Sequence, residues 1–332
     1  MATWSTLEGW EGWEGWEGWE GWEGWRQGST GAGAGRADWL ARQRSRDAIV
    51  FGQAPASLLR ATTAGHPLAS LSAYARRQVV VMDMLAGVTV SEQDAACVVV
   101  ICGPGGVPTI QVQIPPPSFE AELGVVESLN RQRQERAPEI HAQLGFNPGF
   151  WAGIVPLSSR NTPFTLELMA ALVMWSSFIV QQAKTRYNLP RPVDLSPRIH
   201  PMIATPGFST YPSGHATQAA LVSTLLRALA VPGLAADWRV PVDLQLTELA
   251  RRIAENREVA GVHFPSDSRA GLALGEGLLG LLVKPAPARR GKKAAVVAAP
   301  KAEASVDVGP AVARRKGPFD WLWQKAVKEW SA

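Results

Sequence analysis

At 332 residues and 46% hydrophobic, the chain is long enough for one or two domains with a sizeable core. Its net charge of +4 is unevenly placed: residues 284–332 hold eleven Lys/Arg against four Asp/Glu, whereas 1–283 hold 22 basic and 25 acidic residues. A nearly neutral body excludes a nucleic-acid footprint across the whole protein and confines any such attraction to the tail.

Residues 8–25 are six tandem copies of Glu-Gly-Trp. A period of three fits neither the α-helix nor the strand, and it predicts a low-complexity arm that is flexible or binds a partner through its indoles. GSTGAGAG (28–35) continues it as a linker, so 1–35 is set apart from a helical domain over 36–283. From 36 to about 75 the composition predicts helix. Over 78–114, QVVVMDM, GVTVS, CVVVIC and TIQVQI predict short strands in a small antiparallel β insertion. Cys97 and Cys102 fall on this stretch; a strand would point them to opposite faces, so reduced thiols are expected, not a disulfide.

Helical composition returns over 119–145. NTPFTLELMAALVMWSSFIVQQAK predicts a long buried helix with Asn161 as N-cap and Pro163 in its first turn, ended by Pro190 and Pro192. Further helices are expected over about 214–230, over 243–261, and from a cap at Ser266 or Asp267 onward. The fold class that follows is mainly α, an antiparallel helical bundle with its motif core over 161–283. The apolar runs at 168–180 and 277–283 fall short of the 18–20 residues that span a bilayer, and no apolar leader follows a basic start. Both readings predict a cytoplasmic protein. Residues 284–332 read as a basic disordered linker followed by an amphipathic helix with Phe319, Leu322, Trp323, Ala326 and Trp330 on one face. That helix either docks on the body or a second subunit, in a homo-oligomer, or contacts a membrane surface or partner protein.

Three segments within 184–267 carry candidate chemistry: KTRYNLPRP with Lys184 and Arg191, YPSGH with Ser213, Gly214 and His215, and NREVAGVHFPSD with Arg257, His263 and Asp267. Singly, each has a plain reading: a helix C-terminal charge, an N-cap, a histidine paired to a carboxylate. Together they supply what phosphoryl chemistry needs. Lys184, Arg191 and Arg257 can hold oxyanion oxygens, and arginine does so bidentately. Ser213 and Gly214 open a helix, where amides and the dipole favour anions. One histidine can attack while a carboxylate orients it, and the other can protonate a leaving oxygen.

The order Lys-x6-Arg-Pro, Pro-Ser-Gly-His, Arg-x5-His-x3-Asp resembles the signature of the superfamily that joins type 2 phosphatidic acid phosphatases, bacterial acid phosphatases and vanadium-dependent haloperoxidases. The resemblance covers about 84 of 332 residues. It implies an all-helical bundle with the site between helices. It also implies that His263 bonds phosphorus or vanadium with Asp267 orienting it, and that His215 is the acid–base residue. Lys184, Arg191, Ser213, Gly214 and Arg257 would then cradle the oxyanion. The sequence departs from the pattern at Asn256, where the family's third motif usually begins with serine. Only 41 residues separate His215 from Arg257, fewer than haloperoxidases generally carry. That favours a phosphohydrolase without cofactor, acting on a small phosphoester, over a vanadate-loaded enzyme oxidising halide with peroxide. A scaffold protein working through its tails is the third reading. Of the remaining histidines, His66 and His141 read as surface residues, and His200 as a candidate for the mouth of the site.

Overall fold

The computed structural model describes residues 66–93, 96–101, 109–113, 119–284, 312–313 and 316–331. The Glu-Gly-Trp arm, the helix expected before residue 66, Cys102 and the linker over 285–311 lie outside the described residues. The protein is mainly helical, as expected.

The first α-helix among the described residues, α1 (Ala73–Leu85), opens at Ser72, whose hydroxyl accepts from the Ala75 amide at 3.2 Å. It takes up the QVVVMDM stretch read from sequence as a strand. Val80, Val81 and Met84 are buried and recur at helical, not alternating, spacing, and Gly87 turns the chain at φ +80°. Three strands follow, β1 (Val88–Gln93), β2 (Ala96–Ile101) and β3 (Thr109–Gln113), in an antiparallel meander of that order. This is the expected β insertion, shorter by its first segment. Val90 and Val112 enter the core, and β3 lies against the last bundle helix.

After α2 (Glu120–Ser128) and α3 (Arg133–Ala142) comes the bundle proper: α4 (Pro163–Tyr187), α5 (Gly214–Leu229), α6 (Ala236–Val259) and α7 (Pro265–Leu282). α5 packs against α4, α6 and α7 and forms the centre. The α5–α7 contact is unusually close. A Cβ on Gly271 would stand 2.5 Å from the Ser213 carbonyl oxygen, and one on Gly275 would stand 2.3 Å from that of Thr217. Glycines four apart thus form a seam that seats α7 directly on α5.

The N-cap of α4 is Thr162, one residue later than expected, and its side chain makes no capping bond. The cap comes from the other end of the chain. Glu329 of α8 (Pro318–Glu329) accepts from the amides of Phe164 at 2.7 Å and Thr165 at 2.8 Å, and from the Thr165 hydroxyl at 2.7 Å. Trp330 Nε1 donates to the same hydroxyl at 2.9 Å. Phe319, Leu322, Trp323 and Ala326 are buried in the main core against α1 and α4. The apolar face that a membrane or partner contact would need is therefore covered, which corrects that reading of 284–332 for its terminal helix.

The sequence reading also underrated α4. By length and composition the stretch Pro163–Leu195 is apolar enough to cross a membrane, and 72% of its most apolar window is buried inside the protein. The run read over 168–180 stops at Glu167 and Gln181, whereas the helix continues past both.

Candidate functional site

Each motif sits at a helix end, and all three ends meet. Lys184 lies in the last turn of α4, which closes at Asn188 in left-handed conformation (φ 45°). Arg191 follows where Pro192 begins a short helical turn. Ser213 is the N-cap of α5, with Gly214 and His215 its first two residues. Arg257 ends α6, and the chain reverses at Gly261 (φ +79°). The positive φ requires glycine there, and a Cβ would also crowd Ile199 Cγ2 at 3.2 Å. The reversal delivers His263 just before α7, and Asp267 lies in the first turn of that helix.

Lys184, Arg191, Gly214, His215, Arg257 and His263 line one cavity of about 650 Å3, counting the part open to solvent. Backbone carbonyls fix the cations. Lys184 Nζ donates to the carbonyls of Ser209 (2.6 Å) and Thr210 (2.9 Å), and Arg191 donates to those of Phe208 and Val262, both at 3.0 Å. The Phe208 ring lies 5.0 Å from Lys184 Nζ and 5.2 Å from the Arg191 guanidinium carbon, a shared cation–π contact. Ser213 is wholly buried, and its hydroxyl accepts from the Ala216 amide at 3.5 Å. It serves as a cap beneath the cavity and does not line it. A Cβ on Gly214 would meet only Val180 at 3.9 Å, so packing inside the protein does not demand glycine. What its bareness leaves open is the cavity itself, next to first-turn amides that have no intrahelical acceptor.

His263 Nδ1 stands 3.1 Å from Asp267 Oδ2 and 3.2 Å from the Thr210 hydroxyl. Asp267 Oδ2 also accepts from the Thr210 hydroxyl and from the Phe264 amide at 2.8 Å. A carboxylate can only accept, so the neutral ring carries its proton on Nδ1 and leaves the Nε2 lone pair for the cavity. Burial, then the Arg191, Lys184 and Arg257 charges, holds His263 well below the usual histidine range. Burial pushes Asp267 up to about 6, against the pull of the Thr210 hydroxyl, the Phe264 amide and the Lys184 and Arg191 charges, all of which favour its carboxylate form. His215 Nε2 donates to the Leu144 carbonyl at 3.3 Å. Burial, then the Arg257 charge, lowers it to about 3. The pocket thus presents fixed positive charge, one neutral nucleophilic nitrogen and a second neutral imidazole. Such a set has the charge and donors to hold a tetrahedral oxyanion.

Two contributors lie outside the motifs. Thr210 stands two residues before the PSGH run and ties Asp267 to His263. Gln143, just beyond α3, accepts through Oε1 from Arg257 Nη2 at 3.2 Å and from Asn256 Nδ2 at 2.9 Å. Asn256, the departure from the family pattern, reaches a side chain that serine is too short for. His200 does not line the cavity; its ring is exposed and its carbonyl accepts from Arg133 at 2.6 Å. His66 and His141 are exposed, and His66 stacks on Trp321. Among the described residues no group of three or more His, Cys, Asp or Glu could hold a metal ion.

Residues 165–290 match the model of the PAP2 superfamily. Among solved structures, a bacterial vanadium-dependent iodoperoxidase is 21% identical, with 51% of each chain covered and a TM-score of 0.39. A transmembrane PAP2-type phosphatidylglycerolphosphate phosphatase from Bacillus subtilis is 19% identical, with 51% of this chain and 76% of that one covered and a TM-score of 0.28. The chain spans about half the length of the iodoperoxidase. No curated protein matches. The stretch matched by the family model takes in all three motifs, from Lys184 to Asp267.

Proposed function

We propose that this protein is a phosphohydrolase that cleaves phosphomonoesters through a phosphohistidine at His263. The observation that carries the reading is the orientation of one ring: its Nδ1 is tied to Asp267 and Thr210, while its Nε2 is left to a cavity lined by three cations. Nε2 attacks phosphorus as the ester P–O bond breaks, and Asp267 stabilises the charge that forms on the imidazole. Protonated His215 gives its proton to the leaving oxygen. Neutral again, it takes a proton from the water that breaks the P–N bond and releases phosphate. Lys184, Arg191, Arg257 and the first amides of α5 hold the three non-bridging oxygens throughout, where transition-state charge is spread.

The same donors fit vanadate, also a tetrahedral oxyanion, with Gly214 leaving room beside the amides and His263 Nε2 as its protein ligand. Bound there, vanadate would supply peroxide activation for halide oxidation. The experiment pairs the two chemistries on purified protein. Hydrolysis of an aryl phosphate, inhibited by vanadate and lost in His263→Ala, is the expected result. Bromination of a diketone dye by vanadate-loaded protein with peroxide, and no hydrolysis between acid and neutral pH, would overturn it. Neither activity, together with a phenotype from deleting 1–35 or 284–332 alone, would favour the scaffold reading.

A further inference from the structure

A second compartment opens beside the first. The rings of Phe146, Phe150 and Trp151, with Ala219 of α5 and Ile253 of α6, wall a shallow recess open to solvent. His215 and Gln218 line both compartments, so one imidazole stands where the cation-lined cavity and the aromatic one adjoin. The aromatic wall is anchored. Trp151 is buried, its Nε1 donates to Ser223 Oγ at 3.0 Å, and Phe146 leans on it at 5.7 Å between ring centroids.

A general acid must touch the oxygen that leaves, so the carbon skeleton on that oxygen continues past His215. What it meets there has no charged side chain, only aromatic and aliphatic surface edged by amides such as Asn147. A polyhydroxy or charged alcohol would lose water in that place without gaining an ionic partner, whereas a flat apolar one would gain ring contacts. We propose that the Phe146–Phe150–Trp151 compartment is the leaving-group subsite, and that it selects arylalkyl and aryl phosphomonoesters. The inference rests on the phosphohydrolase reading given above.

The test compares 2-phenylethyl phosphate with ethyl phosphate, whose leaving alkoxides are of similar basicity and differ by one ring. We expect kcat/KM to favour the phenylethyl ester by about tenfold or more, of the order given by a buried apolar group. Phe150→Ala should collapse that ratio towards one, with circular dichroism reporting an intact fold. If Phe150→Ala does not fold, Phe150→Leu keeps apolar volume without the ring face and should give a partial loss of the ratio. A wild-type ratio near one, or a ratio untouched by both substitutions, overturns the subsite. Hydrolysis of neither ester would refute the phosphohydrolase reading instead. In that case calorimetric binding of the two esters still decides the subsite, and equal dissociation constants overturn it.

Discussion

Gln143 Oε1 accepts a hydrogen bond from Arg257 Nη2 at 3.2 Å, so a side chain outside every motif aims one of the three cations of the site. The same oxygen accepts from Asn256 at 2.9 Å, and Gln143 Nε2 donates back to Glu139 Oε1 at 3.1 Å. Gln143→Leu removes that acceptor from buried donors, a loss of about 1–3 kcal/mol in anion binding. The expected result is a KM raised about tenfold or more and weaker inhibition by vanadate, with a smaller change in kcat. Steady-state kinetics check it, and an unchanged KM would show that Arg257 is aimed without Gln143.

The three motifs were legible because each is a local pattern: a lysine and an arginine seven apart, a helix cap, a histidine with a carboxylate four residues on. Their meeting was not. Gln143 and Asn256 are 113 residues apart and Glu329 and Thr165 are 164 apart, and no periodicity links such pairs. The QVVVMDM stretch misled for a related reason. Its β-branched run carries strand propensity, but burial of Val80, Val81 and Met84 on one helical face overrides it. Gly271 and Gly275 were visible in GLALG, yet four-residue spacing of glycines becomes meaningful only when α5 lies against them.

Thr210 and Asp267 should separate orientation from fold. Asp267→Asn replaces a pure acceptor with an amide, which loses the charge that stabilises the imidazolium, and it should lower kcat by about 10²–10⁴-fold. Thr210→Val keeps shape and removes one donor to the carboxylate, so a loss of about tenfold is expected. Circular dichroism should show both variants folded. A Thr210→Val enzyme of full activity would show that Asp267 alone orients His263.

The glycine seam makes a prediction about stability. Gly275→Ala places a methyl against the Thr217 carbonyl and 2.8 Å from Ala220 Cβ, both on the helix that carries His215. Overpacking of that kind costs about 1–3 kcal/mol. Gly280 is the control, since a Cβ there meets nothing within 4 Å and alanine is the better helix former. Thermal melts should show a lower Tm for Gly275→Ala and an equal or higher one for Gly280→Ala. Equal melts for Gly275→Ala and the wild type would mean that the two helices can slide apart freely.

Glu329 caps α4 from 164 residues further along the sequence, and α4 carries Lys184 at its far end. Glu329→Ala leaves the Phe164 and Thr165 amides to solvent and removes a negative charge from the positive end of the helix dipole. The expected cost is about 1–2 kcal/mol. Denaturant unfolding measures it, with Lys325→Ala on the same helix as a comparison of smaller effect. A Glu329→Ala protein as stable as wild type would show that the buried face of α8 holds the helix without its cap.

The neutral imidazoles predict proton uptake on anion binding. Burial and Arg257 lower His215 to about 3 from an ordinary 6.5, so the free protein holds this ring uncharged across the neutral range. In the window between those values the unfolded chain binds a proton that the folded one refuses, so stability is lost as pH falls from about 6.5 towards 3. A bound oxyanion reverses the sign of the local field and favours the imidazolium, which is also the form that protonates a leaving group. Calorimetry of phosphate binding near pH 6, in buffers of different ionisation enthalpy, should therefore show net proton uptake, and His215→Gln should reduce it. Phosphate should also raise the Tm more at pH 5 than at pH 7, because the proton gained in the complex offsets the acid penalty of the empty site. Binding without proton uptake would mean that His215 stays neutral beside the anion, and the acid would then have to be another group.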